Sequence, residues 1–331
     1  MEPLIQVDDL HVVFPMPRGN IHAVRGVSFE IGTGQIYGIV GESGCGKTAT
    51  GRAILQLVPA PGKIVGGRIL FHGEDLLQKS EQEIRKLRGQ RIAMIFQDAA
   101  AALNPLFTIG QQLMGIMKHH QIAAGRELSR LAVELLGDLG LPRPKNMLET
   151  YPHQLSGGMQ QRAMIAMALS AGPDLIIADE PTSALDVTIQ SQILDLLVKL
   201  QRDRGVAIMM ISHDLGIVAE TCEQMAVFYL GQIIEQGAVG DIFHDPKHPY
   251  TKGLLAALPN PKNWGDKLKA IPGSVPTLLE AIQGCAFAPR CEYVMGICTQ
   301  KTPPLIQFST THRATCHLYV DDIKHRDGEQ R

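Results

Sequence analysis

Nothing in this sequence approaches the run of about 18 apolar residues that a membrane-spanning helix needs. The opening residues MEPLIQVDDLHVVF carry no basic segment ahead of an apolar core, so a secretory leader is not expected either. If the chain works at a membrane, other chains must supply the spans. A basic excess is also missing: 31 Lys and Arg stand against 33 Asp and Glu, for a net charge of −2. Nucleic-acid binding ordinarily needs a basic face, so no nucleic-acid partner is expected. Internal repeats and low-complexity tracts are absent. Without an export signal, the six cysteines are not expected to form a disulfide framework. What remains is the balance of a globular protein, 45% hydrophobic and 19% charged, and 331 residues suffice for about two domains.

Short apolar strands alternate with helical patterns, which predicts an α/β fold built on a parallel sheet. The strand candidates are Gln35–Val40, Arg91–Phe96, Leu175–Asp179 and Val206–Ser212. Between the last two, Ile189, Ile193, Leu196, Leu197 and Leu200 recur at helical spacing. Residues 12–30, punctuated by Pro15, Pro17 and Gly19, read as an antiparallel hairpin. Helical patterning over about 98–165 suggests an insertion between core strands. Beyond about residue 245 the alternation stops and Pro and Gly become frequent. The expected organisation is a nucleotide-binding domain over 1–245 and a small, irregular, Cys-rich C-terminal domain over 246–331.

Gly41-Glu42-Ser43-Gly44-Cys45-Gly46-Lys47-Thr48 follows a strand and opens a helical stretch, as a P-loop does. Its glycines let backbone N–H groups close on phosphate oxygens. Lys47 supplies a point charge to the β- and γ-phosphates, and the Thr48 hydroxyl is a ligand for Mg²⁺. Cys45 reads as a small filler. The apolar strand ending in Asp179 and Glu180 places two carboxylates at the C-terminal edge of the sheet, where ligands collect. Asp179 is expected to hold Mg²⁺ through water, and Glu180 to act as general base towards the attacking water.

Leu155-Ser156-Gly157-Gly158-Met159-Gln160-Gln161-Arg162 resembles the signature motif of ABC ATPases, with Met159 where the familiar form has Gln. The resemblance implies an ABC-type nucleotide-binding domain with a helical subdomain. It also implies that Ser156, Gly157 and Gly158, at a helix N-terminus, address ATP on a partner's P-loop. By the same resemblance Gln97 is the Q-loop glutamine, touching Mg²⁺ and the attacking water. Ser183-Ala184-Leu185-Asp186 is similar to the D-loop, and His213 to the switch histidine that contacts the γ-phosphate. For the adenine-stacking aromatic, Phe14 is preferred over His22.

Residues 247–252 (KHPYTK) and 254–259 (LLAALP) resemble the C-terminal extension of ATPases that drive dipeptide, oligopeptide and, in some relatives, nickel uptake. Leu103-Asn104-Pro105 and Tyr151-Pro152-His153-Gln154 fit that branch; Ala99 stands where it usually has Pro. The branch implies a peptide importer, with nickel uptake and a soluble non-transport ABC ATPase as alternatives. It further implies a second homologous ATPase subunit, two transmembrane permease subunits and an extracytoplasmic substrate-binding protein. The chain itself would then be peripheral, on the cytoplasmic face of the membrane.

Cys285, Cys291, Cys298 and Cys316 are separated by 5, 6 and 17 residues. Four thiols in a module with little core suggest a metal staple. The short Cys pairs usual for structural zinc are absent, whereas iron–sulfur sites accept looser spacing. Members of the peptide-permease branch carry a [4Fe–4S] cluster on a similar set. A [4Fe–4S] cluster is therefore expected, with zinc, aided by His312 or His317, and uncoordinated thiols as alternatives. Nucleotide binding is expected to be independent of this module.

Overall fold

The computed structural model describes residues 2–17, 19–183, 185–258, 271–276 and 282–320. Ala184 of the D-loop motif and Pro259 at the end of LLAALP lie outside the described residues. The strands are β1 (Ile5–Met16), β2 (Gly19–Ile31), β3 (Ile36–Val40), β4 (Lys63–Phe71), β5 (Glu74–Asp75) and β6 (Ile92–Ile95). They continue with β7 (Leu175–Asp179), β8 (Ala207–Ser212), β9 (Gln224–Tyr229), β10 (Gln232–Ala238), β11 (Leu305–Gln307) and β12 (Arg313–Thr315). The first helices are α1 (Lys47–Ile54), α2 (Glu81–Leu87), α3 (Ala99–Ala102), α4 (Ile109–His119), α5 (Arg126–Asp138) and α6 (Pro144–Met147). After them come α7 (Gly157–Leu169), α8 (Val187–Arg204), α9 (Leu215–Thr221), α10 (Val239–His244) and α11 (Pro249–Ala256).

The main sheet has the order β11-β12-β10-β9-β3-β8-β7-β6. From β9 to β6 the strands run parallel, while β10, β12 and β11 add on antiparallel. β3, β6, β7 and β8 are buried along their whole length, which is why they read as unbroken apolar runs. Side chains alternate between the two faces. Ile176, Ala178, Ile208 and Met210 pack with α3–α5, α7 and α8, whereas Ile177, Met209 and Ile211 pack with α1 and the smaller sheet β2-β1-β4-β5.

The expected strands and the helix carrying Ile193, Leu196, Leu197 and Leu200 are present within a residue or two. α8 is capped by the Asp186 carboxylate, which accepts from Ile189 N–H at 3.0 Å, and closes on Gly205 at φ 66°. The hairpin begins earlier than residue 12, since β1 starts at Ile5 and pairs with β2 and β4. The region 98–165 contains α3–α6, and its last helix, α7, runs on to Leu169. β4, β9 and β10 were not foreseen.

The C-terminal residues are joined to the main sheet rather than set apart from it. In β12, Ala314 and Arg313 pair with Glu235 and Gln236 of β10. Buried Glu235 accepts from His312 Nε2 at 2.8 Å and from the backbone N–H groups of Lys247 and His248 at 2.7 and 2.8 Å. Burial alone would raise its pKa, but these donors together hold it below the usual carboxylate range. One satisfied carboxylate thus ties three parts of the chain together.

Candidate nucleotide site

β3 leads straight into the loop 41–46, and α1 begins at Lys47. Two of its glycines are required sterically. A Cβ on Gly41 would lie 2.3 Å from the Phe228 carbonyl oxygen, and one on Gly46 (φ 105°) 2.2 Å from that of Ala23. Gly44, by contrast, has open space around it. Lys47 is buried and donates to the carbonyl oxygens of Gly41 and Glu42 at 2.7 and 3.0 Å. Cys45 is buried behind the loop, and burial pushes its thiol pKa up, which suits a filler and not a nucleophile. Ser43 is exposed on the loop.

The strand ends bring the carboxylates alongside. Thr48 Oγ1 donates to Asp179 Oδ1 at 2.9 Å; burial raises the Asp179 pKa against that hydrogen bond. Glu180 sits at φ 46°, in the left-handed region unusual for a non-glycine residue, and its N–H donates to Ile211 O at 2.9 Å. In this posture its carboxylate meets two of the expected residues. Gln97 Nε2 donates to Oε2 at 2.9 Å, and His213 Nδ1 lies 3.2 Å from Oε1. Gln97, Glu180 and His213 leave three different strand ends, β6, β7 and β8, yet converge on one carboxylate.

Other expected residues lie apart from this centre. Ser156 is the exposed N-cap residue of α7, and its hydroxyl makes no capping bond to its own helix. Gly158 allows close packing there, since a Cβ would stand 2.7 Å from Ile189 Cγ2. Among the described residues no hydrogen bond joins Ser156, Gly157 or Gly158 to Lys47, Thr48, Asp179 or Glu180. Phe14 is half-buried, its ring lying across Gly62 beside Val58. His22 is exposed, and the backbone at 22 and 23 backs onto Gly231 and Gly46. In the strand register His22 stands opposite Val13, one residue from Phe14, and the contact with Gly46 of the P-loop is made by the Ala23 carbonyl.

The four C-terminal cysteines gather in one place. Cys285 N–H donates to Cys298 O at 2.7 Å, and Cys316 feels the charges of the other three thiols. Burial raises the pKa of Cys285 and Cys291 and pushes Cys316 up to about 11; the backbone amides of Phe287, Tyr293 and Leu318 act the other way, favouring the thiolates. Among the described residues no group of three or more His, Cys, Asp or Glu is arranged to hold a metal ion. The expected metal staple is thus not seen as a ready-made ion site. Of the histidines considered for zinc, His312 Nε2 is taken up by Glu235 and His317 Nε2 by the Lys301 carbonyl at 2.9 Å.

One contact was invisible in the sequence. Arg290, next to Cys291, makes a two-pronged ion pair with Glu42 inside the P-loop, at 2.8 and 3.0 Å. The module and the loop are in direct contact.

Comparison with known proteins agrees with this architecture. A family profile described as "ABC transporter" matches residues 24–183, and one described as "Oligopeptide/dipeptide transporter, C-terminal region" matches residues 234–298. The oligopeptide transport ATP-binding protein OppD of Bacillus subtilis is 47% identical over 96% of this chain and 90% of its own length. The dipeptide transport ATP-binding protein DppD of Escherichia coli is 44% identical over 96% and 98%. Among solved structures, the dimeric ATP-binding cassette MJ0796 bound to ADP and Pi superposes with a TM-score of 0.64 and 27% identity, covering 71% of this chain and 98% of that one. CbiO1 of Clostridium perfringens, part of the ABC transporter complex cbiONQ, gives 0.63 and 27% over 74% and 92%. Fold and motifs together define a P-loop ATPase of the ABC type. The chain belongs to the ABC transporter family, among the oligopeptide/dipeptide transport ATP-binding proteins.

Proposed function

We propose that this chain binds and hydrolyses ATP to energise the import of di- or oligopeptides through an ABC transporter. The observation that carries it is the convergence of Gln97 and His213 on the Glu180 carboxylate, one residue from the Thr48–Asp179 pair. The N–H groups of the loop Gly41–Gly46 and the Lys47 ammonium bind the phosphates. Lys47 must then exchange its two carbonyl partners for phosphate oxygens. Glu180 takes a proton from the attacking water, with Gln97 and His213 orienting its carboxylate. The hydroxyl of Thr48 and the carboxylate of Asp179 are hard oxygen donors of the kind Mg²⁺ takes from proteins, one or two at a time beside substrate phosphates. Mg²⁺, when bound there, neutralises charge on the phosphates; Gln97 is the third candidate ligand.

Ser156, Gly157 and Gly158 are proposed to read the γ-phosphate on a second, homologous ATPase subunit, with Asp186 near the same interface. The exposure of Ser156 and Gly157 at a helix N-terminus, with no hydrogen bond among the described residues to this chain's own Lys47 or Thr48, supports that reading. Leu106 and Phe107, exposed in the segment after Gln97, suit contact with two transmembrane permease subunits. Among the described residues no helix is long and apolar enough to cross a membrane, which accords with a peripheral subunit on the cytoplasmic face. A substrate-binding protein outside the membrane completes the system. The names of the relatives favour peptide over nickel as cargo.

For the cysteines, the proposed occupant is a [4Fe–4S] cluster with a structural role. Its support is the donor set: four clustered thiols with backbone amides turned to three of them, as cluster sulfurs commonly have. The cluster, when bound, would supply the cross-link that this small core lacks.

The test of the transport reading is reconstitution of the chain with its permeases in proteoliposomes. Peptide-loaded binding protein should stimulate ATP hydrolysis and peptide uptake. Stimulation by nickel and not by peptide would overturn it.

A further inference from the structure

Glu42 is the second residue of the P-loop, and both its backbone and its side chain are held from the C-terminal part of the chain. Its N–H donates to the hydroxyl of Tyr250, a completely buried residue on α11, at 3.1 Å. Its carboxylate receives both arms of the Arg290 guanidinium. That guanidinium is only 4% exposed. It is fixed in turn by the Pro272 carbonyl, which accepts from Nε at 3.0 Å, and by the rings of Tyr229 and Phe287, 5.8 and 6.0 Å away. Tyr250 stacks at a tilt on Tyr229, with centroids 4.7 Å apart. An Arg fork on a carboxylate fixes direction as well as distance, so Glu42 has little freedom.

The other side of Glu42 faces the chemistry. Its carbonyl accepts from Lys47 Nζ, and the open residues Ser43 and Gly44 follow it directly. A turn in Glu42 would redirect the loop N–H groups and release the lysine. We propose that Tyr250 and Arg290 are positioning residues of the ATP site, setting the P-loop from outside the cassette. The C-terminal region thereby determines nucleotide affinity and does more than brace the fold. This inference rests on the P-loop being the ATP site.

The test uses the full-length chain with a fluorescent ATP analogue, and the assembled transporter for turnover. Arg290→Gln and Glu42→Gln should each weaken nucleotide binding about tenfold, within the range usual for coupling between linked sites. The double variant should be no weaker than either single one, because both remove the same contact. In the transporter, KM for ATP should rise while kcat changes far less; a merely misfolded fraction would lower kcat and leave KM alone. Arg290→Lys, which keeps the charge and loses the fork, should recover only part of the affinity. Tyr250→Phe should weaken binding in the same direction, and serves if Arg290→Gln does not fold. Unchanged affinity in both Arg290→Lys and Tyr250→Phe, or losses that multiply in the double variant, would overturn the proposal. Lys47→Ala separates the two readings: if it too binds ATP normally, the P-loop assignment has failed and not the brace.

Discussion

His213 Nδ1 stands 3.2 Å from Glu180 Oε1, while the other oxygen of the same carboxylate is held by Gln97. The candidate base is therefore flanked on both oxygens, by a donor from Gln97 and by the His213 ring, before any nucleotide arrives. Replacing Glu180 by Gln keeps the shape but removes the basic oxygen. Turnover of the assembled transporter should fall by about 10²-fold or more, while ATP binding persists and the closed, ATP-bound complex accumulates. ATPase rates and nucleotide retention measured side by side check this; wild-type turnover would remove Glu180 from the mechanism.

Ser156, exposed at the N-terminal end of α7, makes no hydrogen bond to this chain's own Lys47 or Thr48 among the described residues. Ser156→Arg should leave ATP binding to the isolated chain nearly intact and abolish hydrolysis in the complex. Lys47→Ala should abolish binding itself. Equal loss of affinity in the two isolated variants would show that the signature does not act on a partner's nucleotide.

The half-buried Phe14 and the exposed His22 make different predictions for adenine stacking. His22→Ala should weaken binding of ATP several-fold, since base–aromatic stacking is worth about 1–3 kcal/mol. Phe14→Ala should act mainly on stability, through the packing lost over Gly62. Affinity and melting temperature measured on both variants decide the matter; a loss of affinity confined to Phe14→Ala would return the role to Phe14.

Anaerobically purified protein should be brown and contain about four irons per chain if the four thiols hold one [4Fe–4S] cluster. Cys291→Ser should bleach the colour and open residues 282–320 to proteolysis. Because Arg290 adjoins Cys291 and reaches Glu42, ATP affinity should fall as well. Colourless anaerobic protein with one zinc per chain would overturn the cluster while leaving the ATPase intact.

His248 is fully buried, and burial lowers its pKa to about 4, from 6.5. The unfolded chain therefore binds this proton first as pH falls. Stability from this residue is complete above pH 6.5 and is lost progressively between 6.5 and 4, by a few kcal/mol at about 1.4 kcal/mol per pKa unit. His248→Asn retains an acceptor for Tyr250 N–H, which His248 Nδ1 now accepts at 3.0 Å. It should flatten the pH dependence of urea unfolding in that window, and an unchanged slope would refute the assignment.

What could be read in the sequence was whatever is local. The P-loop, the strand ending in Asp179-Glu180 and the helix of Ile193, Leu196 and Leu197 each announce themselves within a few residues, because their physics is that of one turn or one strand. Gln97 and His213 were reached only through the order of motifs, since nothing adjacent to either marks it out. The brace on Glu42 was beyond reach: Arg290 lies 248 positions away, and no periodicity links the two. β10 was hard to read because Gln232, Glu235 and Gln236 break its apolar pattern, whereas β9, with the unbroken apolar run Met225–Leu230 before Gly231, was legible and passed over.

The short hairpin β11–β12 lies against β10, so that the edge of the main sheet is the three-residue β11 instead of the seven-residue β10. A protein cut after the ATPase motifs would display the bare backbone of β10, a template on which strands of other molecules can grow. Fragments ending near residue 245 should therefore cling to one another even if their nucleotide site is intact. The tail works as a selvedge, trimming the border of the sheet to an edge too short to template a neighbour's strand.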